Sequence, residues 1–415
     1  MTSDGAPTNA YVWVWLPGAV DPVVAGVLQV EEGISYFNYG ASYLRRPEAV
    51  SLYLPELPLQ PGPIRPLGGL AIAGCIDDAA PDGWGQRVIL HRLLARSASA
   101  TDPLGLDHLT ILLESGSDRI GALDFQISPD VYEAREATAT LEEMLTAAEL
   151  LEAGEPLSPT LELALLRGSS VGGARPKALL NDGTRRLIAK FSSTGDPFPV
   201  VQSEAASMSL AKRVGIQAAL TEVTASMGRN VLLVERFDRT EVEGERRMIV
   251  SALTILGLDE MMARYATYPD LADQIRARFT TPDATLRELF SRIVFNICVG
   301  NTDDHARNHA AFWDGSNLSL TPAYDICPQV RSGGEAVQAM AIDREGNRFA
   351  KLATCVDAAS IYHLSEADSR QIIDGQLDVI HTQWPAAADE AGLSKEQQTQ
   401  LWGRQILNPY ALEGY

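Results

Sequence analysis

The chain has 415 residues, 46% of them hydrophobic, with 54 acidic against 34 basic side chains and a formal charge of −20. That length supports a large core split over two or three domains, and the acidity argues against extensive direct DNA binding, because Lys and Arg on phosphate supply most non-specific affinity. There is no N-terminal basic–apolar signal region, no apolar run long enough for a bilayer, and no CxxC among Cys75, Cys298, Cys327 and Cys355, so a cytoplasmic protein with reduced thiols and no membrane contact is expected.

In chain order, Tyr11 to Leu16 alternate and stop at Pro17-Gly18. Gly26 to Val30 and Ile34 to Phe37 add strands, which predicts an antiparallel meander. Trp13 and Trp15 share one face of the first strand and suit packing better than a binding cage. Leu54 to Pro66 is a proline-rich connection. Helices are predicted near 85–95 and 106–114, then a strand over Arg119 to Phe125. A boundary falls near 128–138, before helices at 141–153 and 159–167.

Gly168-Ser169-Ser170-Val171-Gly172-Gly173-Ala174-Arg175-Pro176-Lys177 is a small-residue loop. Glycines let backbone N–H groups approach phosphate oxygens closely. Residues 167–190 carry Arg167, Arg175, Lys177, Arg185, Arg186 and Lys190 against Asp182 alone, a basic island in an acidic chain. Asn181-Asp182-Gly183 turns the chain from a strand at Ala178 to Leu180 into one at Leu187 to Phe191. Lys190 then sits mid-strand between apolar neighbours and needs an anion or a route to water; an edge-strand guard against aggregation is the plainer alternative. Glu204, expected at a helix start, is a candidate partner for Lys190, though a Glu there is also ordinary capping chemistry.

Leu286, Leu289, Phe290, Ile293 and Ile297 recur at helical spacing, with Thr285 and Glu288 as a capping box and Gly300 as the stop. Next comes Asn301-Thr302-Asp303-Asp304-His305-Ala306-Arg307-Asn308. Asp303 and Asn308 are separated by four residues, and Asp325 lies seventeen beyond Asn308. That is the spacing of a kinase catalytic loop and its metal-binding Asp. A hairpin of Ala310 to Trp313 with Leu318 to Leu320 would bring Asn308 and Asp325 to one end of a ladder, where two oxygen ligands suit a hard cation. The competing reading of Asp303, Asp304, His305 and His309 is a metal-hydrolase cluster.

Together these segments resemble the HipA family of bacterial serine/threonine kinases, the toxins of toxin–antitoxin modules. The likeness rests on SSVGGARPKALL at 169–180, LIAKF at 187–191, LLVERFDR at 232–239, GNTDDHARNHA at 300–310, LTPAYDI at 320–326 and PDGWG at 81–85, in the family's order.

The resemblance implies an α+β, two-lobed protein-kinase-like fold with a β-rich N-terminal lobe and a mostly helical C-terminal lobe. Its expected parts are a β-rich N-terminal domain at 8–127, a nucleotide-binding part at 139–239 and a helical lobe at 240–415. It implies ATP and Mg2+ as cofactors. Asp303 would be catalytic, with His305 beside the nucleotide; Asn308 and Asp325 would hold the metal. Ser169, Ser170, Val171, Gly172, Gly173, Lys177 and Lys190 would line the phosphates, and Glu235 and Phe237 the adenine hinge. Ser170 would match the family's autophosphorylated serine, with Ser169 beside it.

The implied partners are a HipB-type helix-turn-helix antitoxin, through which DNA is reached indirectly, and a protein substrate of the aminoacyl-tRNA synthetase kind, glutamate-tRNA ligase first. The rivals are a non-catalytic kinase-shaped module that binds an antitoxin repressor, and a metal-dependent phosphohydrolase.

Overall fold

The computed structural model describes residues 7–81, 83–96, 107–135, 139–155, 157–166, 170, 175–183, 185–193, 195–331 and 333–415. They form two compact units: residues up to Phe191 with 238–250 and 313–316, and residues 192–237, 251–312 and 317–415.

The first unit is built on the predicted meander. Strands β1 (Asn9–Val14), β2 (Val23–Glu31), β3 (Ile34–Tyr39), β4 (Pro63–Ile64) and β5 (Leu123–Gln126) make a five-stranded sheet in the order β4-β3-β2-β1-β5. Alternation puts Val12, Val14, Leu28, Phe37 and Phe125 in the interior. Gly26 is required in β2, because a Cβ there would lie 2.2 Å from the Asn38 carbonyl oxygen. Trp13 and Trp15 are buried, and both rings meet Tyr132 at 5.4 Å between centroids. The Arg246 guanidinium lies 3.5 Å from the Trp15 ring centre, a cation–π contact. These are packing roles, as the sequence pattern predicts.

The strand expected from Arg119 begins only at Leu123. Two features hold back the start. Gly121 has a φ of +80°, and Arg119 is turned fully inward. Its Nε donates to Asp124 Oδ1 at 2.9 Å and its Nη1 to the Ala79 carbonyl at 3.0 Å. Arg135, Tyr132 and Gln126 also donate to the Asp124 carboxylate. Burial pulls the Arg119 pKa down to about 10, against the attraction of Asp124. Burial would raise the Asp124 carboxyl, but the two guanidiniums outweigh it and hold it below the usual range.

Helices Leu141–Ala153 and Pro159–Leu166 lead to a hairpin of β6 (Lys177–Asp182) and β7 (Arg185–Phe191). The first of these helices opens with a Thr140/Glu143 capping box and stops at Gly154 in the left-handed region.

In the second unit, helix Val200–Arg213 packs on a hairpin of β8 (Thr221–Ser226) and β9 (Arg229–Glu235) and on the long helix Glu366–Glu390. Helix Pro282–Val299 is its core: Leu286, Leu289, Phe290, Ile293 and Ile297 are buried as their spacing predicts. The expected capping box is not there. The helix starts one turn earlier, after Thr281, and its Pro282 needs no N–H partner. Thr285 instead donates its hydroxyl to the Thr281 carbonyl, and Glu288 pairs with Arg292. All four cysteines are free and buried, and no helix among the described residues is long and apolar enough to cross a membrane.

Asp124→Ala leaves the Arg119 guanidinium buried without its carboxylate. A loss of about 3–5 kcal/mol in unfolding free energy is expected, measured by urea denaturation. A loss below about 1 kcal/mol, the size of a surface ion pair, would show that the cluster does not act as a buried one.

Candidate active site

The site grows out of the end of the core helix. Gly300 takes a φ of +70° and turns the chain, and Asn301 N closes the stop on the Asn296 carbonyl at 2.8 Å. Only glycine fits: a Cβ would lie 2.6 Å from the Gln405 carbonyl oxygen. Residues 301–305 follow without helix or strand, then a short 3-10 turn, Ala306–Asn308, and the strand Ala310–Trp313.

Within this loop Asp303 faces solvent while Asp304 is 3% exposed. The Asp303 carbonyl accepts from His305 N at 2.9 Å and from Asn308 Nδ2 at 3.1 Å, so the loop closes on the backbone of its own acid. Partial burial pushes the Asp303 carboxyl above the usual range; His305 opposes the rise, and the charges of Asp325 and Asp304 add to it. Asp303 therefore lies within electrostatic reach of both His305 and Asp325.

The segment carrying Asp325 is pinned to the same core helix. Thr321 N donates to the Ala310 carbonyl at 3.0 Å across the predicted hairpin. Ala323 exchanges backbone hydrogen bonds with Gln217 and Ala219. Buried Arg292 reaches from the helix to the Thr321 carbonyl at 2.9 Å while paired with Glu288 at the same distance. Burial lowers its pKa, and Glu288 opposes that. Tyr324 OH donates to the Arg307 carbonyl at 2.6 Å, tying this segment to the loop. Asp325 then sits at φ +59°, a left-handed conformation that Asp tolerates better than most residues.

Asn308 is buried. Its Nδ2 is used on the Asp303 backbone carbonyl, and its Oδ1 is the remaining polar atom of the amide. Oxygen donors of this kind fit a hard divalent cation. The hydrolase cluster fares differently. Asp304 and His309 bind each other in the interior, and no group of three or more His, Cys, Asp or Glu among the described residues could hold a metal.

Glu235 ends β9 with its N–H on the Leu220 carbonyl, and the Phe237 ring packs on Phe312 and Tyr324. Glu204 is not at a helix start. It lies in the second turn of Val200–Arg213 and is buried. In the first unit Lys177 and Lys190 stand directly opposite across the β6–β7 hairpin, so two ammonium groups share one face. Ser170 is buried and donates its hydroxyl to the Asp118 carbonyl at 3.0 Å. Ser169, Val171, Gly172 and Gly173 lie outside the described residues.

The spacing argument missed Tyr268, Arg292 and Tyr324. Tyr324 lies inside the LTPAYDI segment, but Tyr268 and Arg292 carry no local signal, because their partners are distant in sequence.

The fold and loop define a protein with a kinase-like α+β architecture. Among solved structures, that of Shewanella oneidensis HipA with HipB and operator DNA aligns over 94% of this chain and 97% of the matched chain, with a TM-score of 0.66 at 19% identity, a likeness of fold. Residues 14–126 match the HipA N-terminal domain model, and residues 169–384, over half of the chain, match the HipA-like C-terminal domain. The chain belongs to the HipA family. It is 29% identical over 272 residues to the serine/threonine-protein kinase toxin HipA of Shewanella oneidensis, covering 57% of this chain and 63% of that protein. It is 27% identical over 268 residues to a Sinorhizobium fredii protein named as a kinase, covering 58% and 61%. The matched stretch spans less than two thirds of these curated relatives.

Gly300→Ala forces a side chain into the left-handed region and against the Gln405 backbone. About 2 kcal/mol or more of stability should be lost, read as a lower denaturant midpoint; an unchanged midpoint would mean the 401–407 segment yields freely.

Proposed function

We propose that this protein is an ATP-dependent serine/threonine protein kinase of the HipA toxin type. The observation that carries the reading is the loop itself. It presents an exposed Asp303, whose backbone carbonyl is held by His305 and Asn308, with the Asp325 charge close by. Asp303 would orient the acceptor hydroxyl and take its proton, a role that a pKa raised above the usual carboxylate range supports. Asn308 Oδ1 and the Asp325 carboxylate would hold Mg2+. When bound, the metal neutralises charge on the transferring phosphoryl group. His305, within electrostatic reach of Asp303, would lie near the nucleotide. Lys177 and Lys190, sharing one hairpin face, favour an anion there and serve the ATP phosphates. Glu235 and Phe237 offer backbone groups for adenine, the Phe237 ring being engaged with Phe312 and Tyr324.

Ser170 is the proposed site of self-inactivation, with Ser169, Val171, Gly172 and Gly173 completing the phosphate loop. Its hydroxyl is buried on Asp118, so the serine must leave that position to be modified. A phosphate brings about −1.5 to −2 charges, which cannot return to a buried hydrogen bond with a carbonyl. Phosphorylation would therefore keep Ser170 out of this hydrogen bond. The protein substrate we take first is an aminoacyl-tRNA synthetase, glutamate-tRNA ligase before others. The partner is a HipB-type helix-turn-helix antitoxin. A chain of charge −20 suits a basic DNA-binding dimer and would reach operator DNA through it.

Incubation with radiolabelled ATP and magnesium tests the activity. Label on protein supports the kinase; free phosphate alone favours a hydrolase, and no turnover a binding module. Asp303→Asn should cut phosphoryl transfer by about 10²-fold or more with ATP binding retained; near-normal turnover removes Asp303 from this role. Asp325→Asn keeps the left-handed backbone acceptable but removes the charge, so magnesium-dependent ATP affinity should fall together with activity. Unchanged magnesium dependence would count against Asp325 as a ligand.

Ser170→Ala should abolish self-silencing, and mass spectrometry after incubation with ATP should find phosphate at Ser170 in the unaltered chain. Modification without loss of ATP affinity would defeat the switch.

A further inference from the structure

Asp304 and His309 were candidates for a metal cluster, and the loop chemistry above uses neither. Both are buried, at 3% and 2% exposure. His309 Nε2 lies 2.9 Å from Asp304 Oδ2, and the Tyr268 hydroxyl donates to the same oxygen at 2.5 Å. The Tyr268 and His309 rings meet edge to face at 5.8 Å. His309 Nδ1 has no hydrogen-bond partner, so the ring proton belongs on Nε2, facing the carboxylate. Two donors thus converge on one carboxylate oxygen from two elements: Tyr268 opens helix Tyr268–Arg278, and His309 precedes the strand Ala310–Trp313.

The consequence is geometric. Residues 301–305 have no ladder or helix to fix them. Asp303 has no side-chain hydrogen bond among the described residues to set its direction. The His305 N to Asp303 carbonyl bond closes a tight three-residue turn centred on Asp304, and on either side of their shared peptide Asp304 is buried while Asp303 is exposed. Gripping the first aims the second.

We propose that Asp304, clamped by Tyr268 and His309, is a positioning residue that holds Asp303 towards the acceptor hydroxyl. This rests on the kinase reading for its catalytic effect, but the clamp itself can be read without turnover. A misplacement of about an ångström at a reacting group costs on the order of 10²-fold in rate, so a loosened loop should show in kcat before it shows in nucleotide binding.

The test uses the full chain. Tyr268→Phe keeps the ring and removes one hydroxyl. We expect kcat to fall about tenfold or more and KM for ATP to stay within about twofold of the original, with a lowered melting temperature because the buried Asp304 carboxylate loses a donor. Amide exchange in the peptide covering 301–309 should speed up. Asp304→Asn should fall at least as far, and the Tyr268→Phe/Asp304→Asn double variant no further than Asp304→Asn alone, since both act through one carboxylate. Additive losses would overturn the shared clamp. Unchanged exchange and unchanged kcat in Tyr268→Phe would overturn the proposal outright. A rise in KM for ATP with kcat intact would assign the clamp to nucleotide binding and overturn the aiming role. If the unaltered chain transfers no phosphate, the kinase reading fails and the catalytic part of this one with it, while the exchange rates still decide whether Tyr268 fixes the loop.

Discussion

A carboxylate taken out of water must keep strong donors, and burying Asp304 is the constraint on which the loop depends. An ionised group left unpaired in the interior costs several kcal/mol. The second unit meets that cost with Tyr268 and His309. The arrangement requires a helix start at 268 and a strand start at 310 to be in place before the loop can close. The Gly300 turn and the backbone bonds within the loop accompany this burial and leave Asp303 exposed. The phenol of Tyr268 is raised well above its ordinary range, first by its own burial and then by the charge of Asp304, so the hydroxyl stays a donor.

The first unit meets a similar constraint with the opposite residue at its centre. Arg119, fully buried, is held by Asp124 and by carbonyls of Ala79 and Leu112, and Asp124 is shared with Arg135. Asp238 extends the cluster by accepting from Gly121 N and pairing with Arg239. A chain with so many surface acids therefore keeps a few guanidiniums where they fix backbone turns. Such clusters are costly to form and costly to break. They tie the irregular stretch 117–122 to the residues around 238–247, far apart in sequence.

Buried support and exposed tip are divided between the core helix and the loop that follows it. The core helix Pro282–Val299, buried over most of its length, anchors both the loop and, through Arg292, the Asp325 segment. Asp303 at the tip stays open to solvent. Positioned charge on a stiff support, with little to reorganise during transfer, is what phosphoryl transfer asks of a protein.

Local spacing alone carried the meander, the amphipathic face of the core helix, the Gly300 stop, the hairpin of 310–313 with 318–320 and the loop bearing Asp303 and Asn308. Those features depend on neighbours within a few residues, through periodicity, turn chemistry and backbone limits. The sequence also held the order of segments that marks the HipA family. It placed the start of the core helix a turn late, because Thr285 and Glu288 satisfy a capping pattern as well as Thr281 and Pro282 do. It placed the start of β5 too early, because an inward Arg119 looks like any strand residue until Asp124 and the Ala79 carbonyl are seen around it. It offered Asp304 and His309 only as members of a metal-hydrolase cluster, and their structural role was not legible in it. Only the fold decided that, by bringing Tyr268 onto the Asp304 carboxylate from 36 residues away. Contacts of that range follow from packing whole elements together, and no local pattern records them.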